Sequence, residues 1–162
     1  MNEELTVILL SAAPISELRG AIPVALAVFN FLPAKAYWLS IFGNLLPVGP
    51  LYLGLRFGSR LLMAENRRLD QFFRKLFSYT RAHHANRFNY RPGQPRFRPW
   101  LEALTLFVFV AIPLPITGVW SAVLAAFVFG VPLSRTFFSI AAGVLAAGLI
   151  VLSISLGIIQ IV

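Results

Sequence analysis

No cysteine occurs among the 162 residues, and only 12% of them are charged. The first absence excludes disulfide frameworks, thiolate metal sites and cysteine nucleophiles together. The second excludes an ordinary soluble domain, in which about 25% of residues carry charge. Acidic residues are scarce, six against fourteen Lys and Arg. Charge is missing altogether from three long stretches, Ala36 to Leu55, Ala103 to Ser134 and Thr136 to Val162. Each is long enough for a hydrocarbon core that needs about 20 apolar residues. Glu3 and Glu4 stand where a signal peptide would carry a basic region, so Met1 is expected to be mature sequence. The composition predicts a small, all-α integral membrane protein.

What charge there is gathers in one place. Eleven of the fourteen Lys and Arg lie between Arg56 and Arg98, against Glu65 and Asp70. The chain therefore divides into a first membrane repeat at 1–57, a basic loop at 58–100 and a second membrane repeat at 101–162. A formal charge of +8 would suggest nucleic acid, but its position between membrane segments fits the positive-inside rule, which puts the loop in the cytoplasm. No nucleic-acid partner is expected. Leu62, Leu69, Phe72, Phe73 and Leu76 recur at helical spacing with Arg67, Arg68, Arg74 and Lys75 largely between them, which predicts an interfacial amphipathic helix over 61–77. The rest of the loop reads as a linker in reach of anionic membrane lipids. His83 and His84 have no Cys, Asp or Glu beside them and make a poor metal site, so neither a metal nor a cofactor is expected.

Sliding the chain over itself by 99 positions aligns Pro14 with Pro113, Val24 with Val123, Ala27 with Ala126, Pro33 with Pro132, and Ser40-Ile41 with Ser139-Ile140. This predicts an internal repeat. Each half opens with a broken apolar segment: Pro14, Glu17, Arg19, Gly20 and Pro23 interrupt the first, and Pro113 to Gly118 the second. Proline removes a backbone donor and glycine relaxes the chain, so each segment is expected to be two half-helices, with Pro14, Pro23, Pro113 and Pro115 shaping the tips. Arms such as Leu5 to Ala13 and Ala21 to Phe31 reach about 14 and 16 Å, half of a ~30 Å core. A kinked span and a re-entrant hairpin both fit that length. Hairpins make an odd number of crossings per half, which inverts the second repeat and leaves Lys35 outside with the basic loop and Arg135 inside. A four-span chain would put Arg135 outside. The intact spans differ in character: Ala36 to Leu55 is bent by Pro47 and Pro50 and carries Asn44, whereas Thr136 to Val162 runs uninterrupted with small residues such as Gly143 and Ala147.

Glu17 and Arg19 are ionisable residues set inside an apolar segment, where a charge costs about 3 kcal/mol or more unless it meets partners or water. At a broken tip both can face one cavity. Returning arms that start at the tips would aim unpaired N–H groups at the midplane, through Gly20-Ala21 on one side and Thr117-Gly118 on the other. The candidate substrate-binding residues are thus Arg19, Gly20, Asn44, Thr117 and Gly118, with Glu17 as proton or ion carrier. A closed Glu17–Arg19 pair that merely ties the tip together is the structural alternative.

The strings Ser16-Glu17-Leu18-Arg19-Gly20-Ala21-Ile22-Pro23, Gly43-Asn44 followed by Pro47, and Ala111 to Trp120 resemble the small multidrug export proteins, a family thought to be distantly related to the DedA/VTT membrane proteins. The resemblance implies a bacterial or archaeal plasma-membrane protein. Through the wider superfamily it implies two re-entrant hairpins in inverted repeat and transport of lipids such as polyprenyl phosphates. Two departures stand out: the family usually has glycine where Ile116 stands, and DedA-type proteins commonly add an arginine in the second half, which this tip lacks. The leading expectation is a transporter or flippase for a lipid-like, anionic substrate, with Glu17 coupling protons. Export of cationic drugs and a non-transporting organiser of anionic lipid are the alternatives. No catalytic motif occurs, so no enzyme is expected, and a homodimer is compatible with the small size.

Overall fold

The computed structural model describes residues 2–65, 99–113 and 118–161, and every element among them is an α-helix. Helix α1 spans Glu3–Ala12, with both glutamates in its first turn, where the positive end of the peptide dipoles favours them. It stops before Pro14, which disfavours helical backbone in the residue ahead of it. Helix α2 spans Glu17–Ala27, α3 Pro33–Leu45 and α4 Val48–Glu65. Pro33 opens α3 at a position where its missing N–H is not needed. After residue 98, α5 spans Pro99–Ala111, α6 Val119–Phe129 and α7 Leu133–Ile161.

The chain leaves α2 and α6 alike. Asn30 and Gly130 adopt left-handed backbone, φ 51° and 71°, and the chain then turns into Pro33 or Pro132 to start the next long helix. Only glycine, and less readily asparagine, takes that conformation at little cost. The Leu46-Pro47 step separates α3 from α4, so the first long segment is broken, whereas α7 is continuous. Two stretches, 33–58 and 133–158, are long and apolar enough to cross a membrane.

The structure departs from the sequence-based expectation in two places. Helix α2 starts at Glu17, not near Ala21, because the turn after Pro14 is complete by Ser16. Pro23 therefore lies inside α2 and not at the tip. Gly20 likewise lies in the first turn of α2, with its N–H donating to the Ser16 carbonyl at 2.9 Å. Residues 61–65 continue α4 and do not begin a separate helix; the rest of the expected amphipathic helix and His83 and His84 fall outside the described residues.

Packing follows a regular scheme. Helix α1 lies on α2 and α3, and α5 lies on α7; α2 reaches across to α7, and α6 to α4. Glycine sets the closest approaches. A Cβ on Gly43 would run into the backbone of Ile8, and one on Gly143 would sit 2.9 Å from the Phe107 carbonyl oxygen. At the outer ends, Glu4 pairs with Lys35 at 2.6 Å and Glu102 with Arg135 at 3.3 Å. Each pair brings the start of a long helix beside the start of the half-helix that opens its own half. Tyr37 donates to the Leu145 carbonyl at 3.1 Å, and Tyr52 to that of Val131 at 2.6 Å. As one chain segment advances the other retreats, so α3–α4 and α7 run antiparallel. The core is small and aliphatic, with Val7, Ala21, Ile22, Ala25, Val123, Ala126, Ile140 and Val144 buried. Phe42, Phe138, Leu149, Ile154 and Ile158 are exposed, an apolar surface suited to lipid and not to water.

Candidate functional site

The two broken segments meet. Helix α6 begins after Gly118, a residue with no side chain to cap the orphan N–H groups of a helix start. Ser121 accepts the N–H of Gly118 at 3.1 Å. The next two N–H groups, of Val119 and Trp120, donate to the carboxylate of Glu17 from the other half of the chain. The approach needs glycine for space and not for backbone freedom. Gly118 has φ −169°, which any residue adopts, but a Cβ there would overlap the Glu17 carboxylate.

Glu17 is held tightly. Its residue is 8% exposed, and its φ of 45° is left-handed, an unusual conformation for a residue with a Cβ that costs on the order of 1–3 kcal/mol. The surroundings offset that cost. Arg19 Nη2 lies 4.0 Å from Oε2 of Glu17, and the backbone N–H groups at the start of α6 supply charge-assisted hydrogen bonds. Trp120 completes the junction by donating its indole Nε1–H to the carbonyl of Ala12 at 3.1 Å. Ser16 donates its hydroxyl to the Leu10 carbonyl, and Ser11 donates to that of Ser40. These bonds satisfy carbonyls at the frayed end of α1 and on the face of α3.

Glu17, Arg19, Asn44 and Gly118 face one small cavity, closed by Val110, Pro113, Ala147 and Val151. The cavity is far smaller than a drug-sized site; its empty space is about 250 Å³ only when the open mouth is counted in. In this conformation the enclosed part has room for about one water molecule. Asn44 is 2% exposed, and its Oδ1 has no hydrogen-bond donor. Among the described residues no three His, Cys, Asp or Glu side chains gather closely enough to hold a metal ion.

Of the residues singled out in the sequence, Glu17, Arg19, Asn44, Gly118 and Pro113 therefore come together. Pro14 is exposed at the first tip, while Gly20 packs against Ser16 and not on the cavity. Thr117 and Pro115 fall outside the described residues. Trp120 and Val119 also join the junction, positions the sequence alone does not assign. Trp120 stands in the second motif, but its reach to Ala12 has no local signature.

Residues 17–150 match the model of a protein family described as "Putative small multi-drug export protein". The chain belongs to this family. The match runs from Glu17 to residue 150, part-way along α7, so it takes in every residue lining the cavity except Val151, just past its end. No curated protein and no solved structure matches the chain. Membership of a multidrug export family, with the apolar helices, makes this a membrane protein of the export class.

Proposed function

We propose that this family member carries a lipid-like, anionic amphiphile across the plasma membrane by exposing the cavity between the tips to each side in turn. Glu17 couples a proton to that movement. The observation that supports the reading best is the Glu17–Arg19 pair at the junction of two broken helices, its carboxylate buried and its guanidinium half-buried, where charge is expensive and commonly functional.

The architecture is read as two re-entrant hairpins, α1–α2 and α5–α6, each followed by a crossing segment, in inverted repeat. Three facts support it. The arms of 10 to 13 residues span about 15–20 Å at 1.5 Å per residue, short of a full ~30 Å crossing. The Glu4–Lys35 and Glu102–Arg135 pairs return the chain, in each half, to the end from which its hairpin entered. The antiparallel course of α3–α4 and α7 puts those two ends on opposite faces. With the basic loop in the cytoplasm, the second hairpin enters from inside. The cavity then lies near the midplane, as in transporters built from inverted repeats.

The family's description favours a second reading, export of cationic drugs with Glu17 as the counter-charge. Substrate sign separates the two. In vesicles containing the reconstituted chain, a fluorescent anionic lipid should cross with the wild type and stop with Arg19→Ala. A cation exporter would instead move ethidium, lose that with Glu17→Gln and tolerate Arg19→Gln. Unchanged anionic-lipid flux in Arg19→Ala would sink the first reading.

A further inference from the structure

Asn44 Oδ1 is a buried acceptor that faces the cavity without a donor, an arrangement native proteins rarely leave unanswered. Whatever answers it must bring a hydrogen. The ionised Glu17 carboxylate on the same cavity cannot, since it only accepts, whereas a protonated carboxyl carries an O–H.

We propose that the Glu17 carboxyl has two docking points: ionised, it caps α6; protonated, it donates to Asn44 Oδ1 and frees the N–H groups of Val119 and Trp120 for an external oxyanion. The ligand class is a phosphate-, sulfate- or carboxylate-type headgroup, held by those two N–H groups together with Arg19. Glu17 is thus an internal stand-in for the ligand. The start of a helix suits an anion because its N–H groups and dipole converge there. The bare Gly118 leaves room for one, as it already does for the carboxylate.

Charge balance makes the exchange feasible. Protonation of Glu17 removes one negative charge as the anion enters, so a monoanion leaves the net charge of the site unchanged and a dianion such as sulfate adds one charge where it would otherwise add two, at a depth where an unbalanced charge is costly. Glu17 faces the Arg19 guanidinium on its own helix. From α3, α5, α6 and α7 and the turns beside them the cavity receives Asn44, Val110, Pro113, Gly118, Ala147 and Val151, none of them titratable. The pH response therefore belongs to Glu17. The inference rests on the transport reading above and adds the order of events to it: proton first, anion second.

The test uses sulfate, which stays a dianion from about pH 5 to 8, so that any pH dependence comes from the protein. Of three tryptophans, Trp38 and Trp100 are exposed. Replacing both by phenylalanine leaves Trp120 as a reporter inside the site, in the full chain purified in detergent. Sulfate should bind at least about tenfold more tightly at the acid end of that range than at the alkaline end. The Glu17→Gln protein, whose amide can donate to Asn44 without carrying charge, should bind tightly at both. Asn44→Leu removes the acceptor for the protonated carboxyl, so the pH at which binding tightens should fall by about one unit. Equal sulfate affinity at the two pH values in the wild type, or an unmoved midpoint in Asn44→Leu, overturns the proposal. If sulfate follows this pattern while anionic lipid does not cross vesicles, the transport reading fails and the two docking points stand. If lipid flux is proton-driven while sulfate binds equally well at every pH, the transport reading stands and the two docking points fail.

Discussion

Gly118→Ala isolates the contact on which the site depends. The backbone at Gly118 tolerates alanine, because φ −169° is ordinary extended chain. The added methyl group instead lands on the Glu17 carboxylate and forces it off the start of α6. Two hydrogen bonds to a charged group are then lost, each worth about 1.5–3 kcal/mol. Water and Arg19 recover part of this, and alanine restricts the unfolded chain, a gain of about 0.4–1 kcal/mol. A net loss of about 3 kcal/mol results. On the scaling for soluble chains of this size, that lowers the Tm by about 6–12 °C, readable by thermal unfolding in detergent. The decisive comparison is the same substitution in a Glu17→Ala background. With the carboxylate gone the methyl group has nothing to displace, so the second change should be neutral or slightly stabilising. Residues in contact show such non-additivity and independent ones do not. Equal losses of Tm in both backgrounds would refute the account of Gly118 as the seat of Glu17.

Replacing Gly143 by valine drives a side chain into Val110 and the Phe107 carbonyl and should destabilise by about 1–3 kcal/mol, as overpacking does; Gly54→Ala, inside α4 with open space around it, should instead stabilise by about 0.4–1 kcal/mol in the same thermal assay. Trp120→Phe deletes the bond to Ala12 and should cost about 1 kcal/mol, with an unchanged Tm counting against that tie. Lys35→Cys should react with an impermeant maleimide on intact cells and Arg135→Cys only after lysis; reaction of both from the same side would sink the inverted arrangement. Breaking the exposed Glu102–Arg135 pair with Glu102→Gln should change stability by less than about 1 kcal/mol.

Local chemistry is legible in the sequence where a single residue type dictates the backbone. Pro14 and Pro113 mark the breaks, Pro33 and Pro132 the starts of the long helices, and Pro47 the bend between α3 and α4. Charge inside an apolar segment singles out Glu17 and Arg19, since few charged residues can stand there without a task. What escapes is long-range. The start of α2 is misplaced because Gly20 and Pro23 look like breakers, yet a helix held by packing against α1 and α3 tolerates both. That Glu17 caps a helix about a hundred positions away leaves no periodicity to find, as a contact between a side chain and a distant backbone depends on the fold alone. The unanswered amide of Asn44 is invisible for the same reason.

The glycines at positions 43 and 143 have a mechanical consequence. They let a backbone carbonyl of α1 or α5 settle directly against the long helix of its own half, a contact that cannot slide without collision. Between the halves, the specific ties are hydrogen bonds: Glu17 to α6, Trp120 to Ala12, Tyr37 to Leu145 and Tyr52 to Val131. Such bonds can be traded one at a time for water or a ligand, at about 1 kcal/mol for the neutral ones and about 1.5–3 kcal/mol for those to the carboxylate. The two halves thus share one apolar core, and the hydrogen bonds that pin them together are the contacts open to exchange.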